Sequence, residues 1–170
     1  MLHFLLIIFL VLLFLTFIHA GVAGAPWVPT RSFDVQRIAA LAQIQPNQIF
    51  YDIGCGDGKI LSAIAKAGGR AKGLEIALLP YLLAKIRGLF LPRGLRYQVK
   101  YQNFWHADLS DADAVYFFLM PKILNRVKDK LTRELRPGAK IISYVWPIPG
   151  LTPIKIDDQP GKPKIYLYQI

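Results

Sequence analysis

The stretch Gln48-Ile-Phe-Tyr-Asp-Ile-Gly-Cys-Gly-Asp-Gly58 limits the possible folds of this chain more than any other. Ile49 to Ile53 is short, β-branched and aromatic, the pattern of a strand buried on both faces of a parallel sheet. Lys59-Ile-Leu-Ser-Ala-Ile-Ala-Lys66 then has helical spacing. Strand, tight turn and helix therefore follow one another directly. Gly54, Gly56 and Gly58 allow positive φ and let a ligand come close without meeting a Cβ, and the helix behind them offers N–H groups to a carboxylate. These features predict a binding loop for a small, nucleotide-like ligand.

The polar residues of the loop narrow the ligand. A dinucleotide fingerprint, G-x-G-x-x-G, requires glycine at position 59, where the chain has Lys59, and Asp52 and Asp57 would repel a pyrophosphate. S-adenosylmethionine has no phosphate; it carries an ammonium, a sulfonium and a carboxylate, which suit acidic residues around a glycine turn. Asp52-x-Gly-x-Gly-x-Gly58 looks like motif I of the class I methyltransferases. Cys55 is a small side chain between two glycines with no base beside it in sequence, so no redox or nucleophilic role is expected of it.

The 170 residues fit one domain, but part of the 54% hydrophobic content is not core. Leu2 to Ile18 has no charge and no helix breaker, and Ala20 to Ala25 extends the run to the ~20 residues that span a bilayer. Met1-Leu-His3 lacks the basic start of a signal peptide, and Pro26 directly follows the cleavage-like Ala23-Gly-Ala25, so a retained anchor over 1–25 is expected. All Lys and Arg come later, beginning with Arg31 and Arg37, which places the rest of the chain in the cytoplasm. Pro26-Trp-Val-Pro-Thr-Arg31 reads as a stiff linker whose Trp27 sits at headgroup level or folds over the ligand pocket. Phe33, Ile38, Leu41 and Ala42 mark one face of a helix closed by Pro46 and Asn47, which completes a linker-and-helix segment over 26–47.

From residue 48 to 170 strands and helices alternate. Ala71 to Ile76 is the second strand, and Glu75 stands near its end at the spacing of an acid that accepts ribose hydroxyls. A helix over Leu78–Phe90 and a strand over Leu95–Tyr101 follow, with Pro92-Arg-Gly94 between them. Asn103 and either Phe104 or Trp105 are then placed to meet an adenine, while His106 reads as a polar loop residue. Ala114 to Leu119 is a buried strand, and Met120-Pro121-Lys122 opens a helix carrying Ile123, Leu124, Val127, Leu131 and Leu135 on one face. Ala139 to Trp146 is the fifth strand, and Thr152–Ile156 with Lys164–Ile170 form a closing hairpin turning at Pro160-Gly161. The expected fold is a three-layer α/β Rossmann-like sandwich with a mostly parallel sheet, order 3-2-1-4-5-7-6, preceded by one transmembrane helix. No Cys and His pattern suits a metal.

Several separated motifs resemble the small membrane-anchored lysine methyltransferases: Pro-Trp-Val-Pro-Thr30, Asp-Ile-Gly-Cys-Gly-Asp-Gly-Lys59, Gly-Leu-Glu75, Asn-Phe-Trp-His-Ala-Asp-Leu109, Phe-Leu-Met-Pro121 and Lys-Leu-x-x-Glu-Leu-x-Pro-Gly138. Eukaryotic members of that family methylate the ATP synthase c-subunit and the adenine nucleotide translocase. Two positions depart from the family: Asn103 where Asp is usual, and Cys55 where a small residue such as Ser is common. The resemblance implies S-adenosyl-L-methionine as cofactor, held by Asp52, Gly54, Cys55, Gly56, Gly58 and Glu75 at its methionine and ribose parts and by Asn103 and Phe104 at the adenine. It implies a lysine of a membrane protein as substrate, walled by Trp27, Pro29, Thr30, Met120 and Pro121, and the bilayer as partner. A methyltransferase of a lipid or quinone would use the same anchor. A non-catalytic tethered module binding anionic lipid or nucleic acid would use the net charge of +10, but the basic residues are dispersed rather than gathered into a nucleic-acid motif.

Overall fold

The computed structural model describes residues 1–23, 27–95 and 97–170, without the side chains at positions 2, 9, 12, 13, 17–20, 22 and 23. The predicted junction between anchor and linker, including Pro26, lies outside the described residues. Helix α1 (Leu2–Ala23) comes first, and α2 (Ser32–Ala42) follows the linker. Strands and helices then alternate as β1 (Ile49–Ile53), α3 (Lys59–Lys66), β2 (Arg70–Glu75), α4 (Leu78–Leu89), β3 (Gln98–Tyr101), β4 (Ala114–Phe117), α5 (Leu124–Glu134) and β5 (Lys140–Tyr144). The hairpin β6 (Lys155–Asp157) and β7 (Ile165–Gln169) closes the chain. Among the described residues no helix is long and apolar enough to cross a membrane, so the expected transmembrane helix is not supported at the level of the structure.

The seven strands form one sheet in the order β3-β2-β1-β4-β5-β7-β6, as the sequence predicts. The first five are parallel and β7 runs antiparallel to both β5 and β6, so the sheet is mixed. Period-two alternation assigns the faces. Phe50 of β1 packs with Ile38, Leu61 and Ala84 from α2, α3 and α4, whereas Tyr51 and Ile53 pack with Leu124, Val127 and Leu131 of α5 on the other side. Gly73 in β2 is required by the first of these layers, because a Cβ there would lie 2.5 Å from Leu61 Cδ1 and 2.7 Å from Cys55 Sγ.

A buried ionic cluster ties α2 to the end of the chain. Arg37 donates to Asp34 at 2.5 Å, to the Asp157 carboxylate at 3.0 Å and to the Pro163 carbonyl at 3.0 Å, and Tyr144 donates its hydroxyl to Asp34 at 2.6 Å. These bonds hold the Asp157 carboxyl below its ordinary value, chiefly through Arg37. They also change the predicted α2 face: Val35, Ile38, Leu41 and Ala42 are buried with Asp34 and Arg37, while Phe33 is 47% exposed. Phe33 lies under the cations Arg31 and Lys162 instead of in the core.

Candidate active site

The site forms where the chain reverses direction across the sheet. From β1 it moves outward to β2 and β3, then returns to the other side of β1 as β4, which opens a crevice at the carboxyl ends of these strands. Asp52 near the end of β1, Glu75 at the end of β2 and Tyr116 in β4 border that crevice. The glycine loop crosses it. Gly54, Gly56 and Gly58 have φ of 84°, 54° and 75°, values that disfavour an L side chain, and the Gly54 and Cys55 amides both donate to the Leu74 carbonyl.

Glu75 shapes this loop. Its carboxylate is 7% exposed and accepts N–H bonds from Gly56 at 2.9 Å, Ile76 at 2.8 Å and Ala77 at 2.8 Å. Burial nevertheless raises its pKa against the lowering effect of these bonds. Asp57 is held from outside the loop by Arg87 of α4, which donates to its carbonyl at 2.7 Å and to its carboxylate at 2.9 Å. Asp52 has no comparable support: it is 1% exposed and its Oδ1 has no hydrogen-bond partner. Desolvation first, and then the charges of Glu75 and Asp57, push its pKa well above the usual carboxylate range.

The space between the lining atoms of the cleft is about 480 Å³, part of it open to solvent. Trp27, Val28, Pro29 and Thr30 of the linker form one wall, and Tyr116 and Phe118 form another. Trp27 lies over the loop, with its Nε1 3.0 Å from where a Cβ on Gly56 would stand. The hydroxyls of Thr30 and Tyr116 are 3.3 Å apart. Burial, and then the nearby Asp52, raise the Tyr116 phenol well above its ordinary pKa.

Residues 52–155 match the family model described as the ANTKMT methyltransferase domain, which is more than half of the chain. The chain belongs to this methyltransferase family. It is 31% identical over 154 residues to a protein-lysine N-methyltransferase of Saccharolobus islandicus (strain REY15A), covering 88% of this chain and 96% of that one. It is 30% identical over 148 residues to the mouse (Mus musculus) adenine nucleotide translocase lysine N-methyltransferase, covering 85% of this chain but only 63% of the mouse protein. Among solved structures, the RNA methyltransferase from Salinibacter ruber in complex with S-adenosyl-L-homocysteine superposes with a TM-score of 0.79 at 26% identity, covering 84% of this chain and 94% of that one. The cofactor of this methyltransferase is S-adenosyl-L-methionine.

The residues present fit that cofactor. A cationic group suits the unpartnered, buried Oδ1 of Asp52, and Gly56 lines the cleft with no side chain between its backbone and Trp27. Asp52, Gly54, Cys55, Gly56 and Glu75 line the cleft together, and Trp27, Pro29 and Thr30 lie with them. Gly58 stands behind the loop, at the α3 N-cap, where a Cβ would lie 2.7 Å from the Tyr97 hydroxyl oxygen. The Cys55 thiol is buried under the loop close to Gly73, and its pKa is raised well above the ordinary value by burial and by the negative charges of Asp52 and Glu75.

Four other predicted site residues are not among those lining this cleft. Asn103 caps a short 3-10 turn, where its side chain accepts the Trp105 amide at 3.0 Å, and Phe104 is 6% exposed within the core on the α5 side. Met120 and Pro121 are exposed at the start of the turn before α5. Conversely, the fully apolar reading of β4 overlooked Tyr116 and Phe118 as cleft walls. The available signal was the Tyr116 hydroxyl, a polar group in an apolar strand that needs a partner when buried.

Proposed function

We propose that the chain is a protein-lysine N-methyltransferase, anchored by α1, that acts on a lysine of a membrane-associated protein. The observation that carries this reading is the narrow wall of Trp27, Tyr116 and Phe118 beside the buried acids, together with a relative, matched over 96% of its length, that is a protein-lysine methyltransferase. S-adenosyl-L-methionine, when bound, supplies an electrophilic methyl group. Asp52 and Glu75 are the residues proposed to hold it, and the glycine loop to let it approach the backbone. The aromatic wall strips water from the incoming side chain, which favours the neutral amine needed for attack. Tyr116, kept as a phenol by its raised pKa, orients that amine by hydrogen bonding through Oη and does not serve as a base. Asn103 and Phe104 are proposed to border the adenine, and Met120 and Pro121 the outer rim of the substrate path.

The anchor reading rests on the uncharged run from Leu2 to Ile18 and on the absence of Lys and Arg before Arg31. It places the folded part of the chain on the cytoplasmic side. The test is calorimetric titration of S-adenosylmethionine into the full chain in mild detergent, beside Glu75→Ala. Removing the acceptor of the Gly56, Ile76 and Ala77 amides is expected to weaken binding about 100-fold, or about 2.7 kcal/mol. Membranes incubated with labelled cofactor are then expected to yield methyllysine in protein. Label in extracted lipid or in RNA instead would overturn the lysine assignment and leave the methyltransferase itself intact.

A further inference from the structure

Helix α4 is built in reverse of an ordinary surface helix. The residues it buries are small, Pro80, Ala84 and Gly88, four positions apart, so its backbone lies close to the sheet. Its large apolar side chains face outward: Leu82 is 44% exposed, Ile86 51%, Leu89 65% and Phe90 84%, with Leu79 and Leu83 beside them. These positions recur at helical spacing and make one stripe about 16 Å long. Single exposed leucines are ordinary on a protein surface, but a continuous stripe marks a binding face.

Two further observations identify what the stripe meets. Between Glu75 and Asp108 the sequence contains Lys85, Arg87, Arg93, Arg96 and Lys100 and no acid, which is the complement of an anionic surface. The first turn of α4 also adjoins α1, because the Leu78 amide donates to Thr16 Oγ1 at 3.3 Å. Val11, Phe14 and Leu15 of α1 are likewise exposed. Thr16 lies seven residues before the end of α1, about 10 Å along the helix, which matches the depth of the headgroup and acyl boundary in which interfacial helices lie.

We propose that α4 is an interfacial membrane helix, with its leucine and isoleucine stripe inserted into an anionic bilayer and Lys85, Arg93 and Lys100 set against the headgroups. The proposal rests on the membrane reading of α1. It has a consequence for catalysis: Arg87 of the same helix holds both the backbone and the carboxylate of Asp57, so seating α4 fixes the height of the glycine loop above the lipid. The substrate lysine then has to lie near the headgroup plane.

The test uses the full chain reconstituted into vesicles of phosphatidylcholine and phosphatidylglycerol. An environment-sensitive fluorophore is attached at Leu82→Cys, at Ile86→Cys and, as a control on α5, at Arg133→Cys; the native Cys55 is buried. Unchanged S-adenosylmethionine binding verifies that each labelled chain is folded. Iodide is expected to quench the two α4 labels at least fivefold less than the α5 label, and lipids with a shallow nitroxide to quench them more than lipids with a deep one. Equal iodide access at all three sites in a chain that floats with the vesicles overturns the α4 proposal and leaves the anchor standing. A chain that does not float overturns the anchor reading, and the α4 proposal with it. Protection that follows protein density and ignores the phosphatidylglycerol fraction means that a second copy covers the stripe, which also overturns it.

Discussion

Asp34 and Asp52 are both essentially inaccessible to water, at 0% and 1% exposure, yet their surroundings differ completely. Asp34 receives Arg37 on one oxygen and the Tyr144 hydroxyl on the other. Asp52 has an oxygen with no partner, and its nearest charges are the like charges of Glu75 and Asp57. A buried acid with both oxygens bonded joins elements together. A buried acid with an open oxygen costs stability in the free protein and is retained at a site that receives a cation. Burial alone therefore does not distinguish a structural carboxylate from a functional one; the partners do.

The largest break in this comparison comes from Arg37→Met, which leaves Asp34 buried with only Tyr144. Unfolding in urea is expected to show a loss of about 3–5 kcal/mol, as for other buried pairs broken on one side. S-adenosylmethionine affinity of the folded fraction is expected to change less than twofold. Equal losses in binding and stability would erase the distinction between the two acids.

Asp52→Asn should act in the opposite way. Calorimetry is expected to show cofactor affinity falling about tenfold, equal to about 1.4 kcal/mol, while the unfolding free energy at neutral pH rises. The sign follows from the raised pKa. The folded state binds the Asp52 proton more tightly than the unfolded chain does, so the contribution of Asp52 to stability is full below the unfolded carboxylate value of about 3.9 and is lost as pH rises through the folded value. Binding of a cationic ligand runs the other way, weakening as the pH falls through that same raised value. In Asp52→Asn both dependences are expected to flatten, and a pH profile identical to that of the wild type would remove Asp52 from the site.

The smallest effect is expected at Thr30→Val, which removes one hydroxyl from the pair with Tyr116. It should cost less than about 1 kcal/mol of stability. It is expected to raise KM for the protein substrate a few-fold without altering cofactor affinity. A change in cofactor affinity instead would move the linker from the substrate side of the cleft to the cofactor side.

Where local pattern and tertiary demand coincide, the sequence was readable to the residue. β1 and α3 span the predicted Ile49–Ile53 and Lys59–Lys66, since a β-branched run, a triple-glycine turn and an amphipathic segment each admit one local solution. The sheet order also followed from the alternation of elements. The third strand begins at Gln98 and not at the predicted Leu95, because the Pro92-Arg-Gly94 turn continues as a helical turn through Leu95. At the site, the glycine spacing and the position of Glu75 were legible because backbone conformation and strand-end placement are local properties. That Glu75 binds the Gly56 amide, that Asp52 is left open and that Tyr116 faces Thr30 depend on segments brought together from separate parts of the chain.

The same division applies to α4. From sequence, α4 was a helix over Leu78–Phe90, and nothing in its periodicity told which face would turn inward. Packing decided it: the sheet accepts the close approach of Ala84 and Gly88 and turns the leucines out. The sequence by itself determined the fold family, the glycine loop and the cofactor, because these rest on backbone freedom, charge and the order of short-range patterns. Only the tertiary structure decided which buried acid is bonded and which is open, which residues wall the cleft, and which face of α4 meets the surroundings. Each of these is set by contacts between segments far apart in the chain, and no local propensity encodes them.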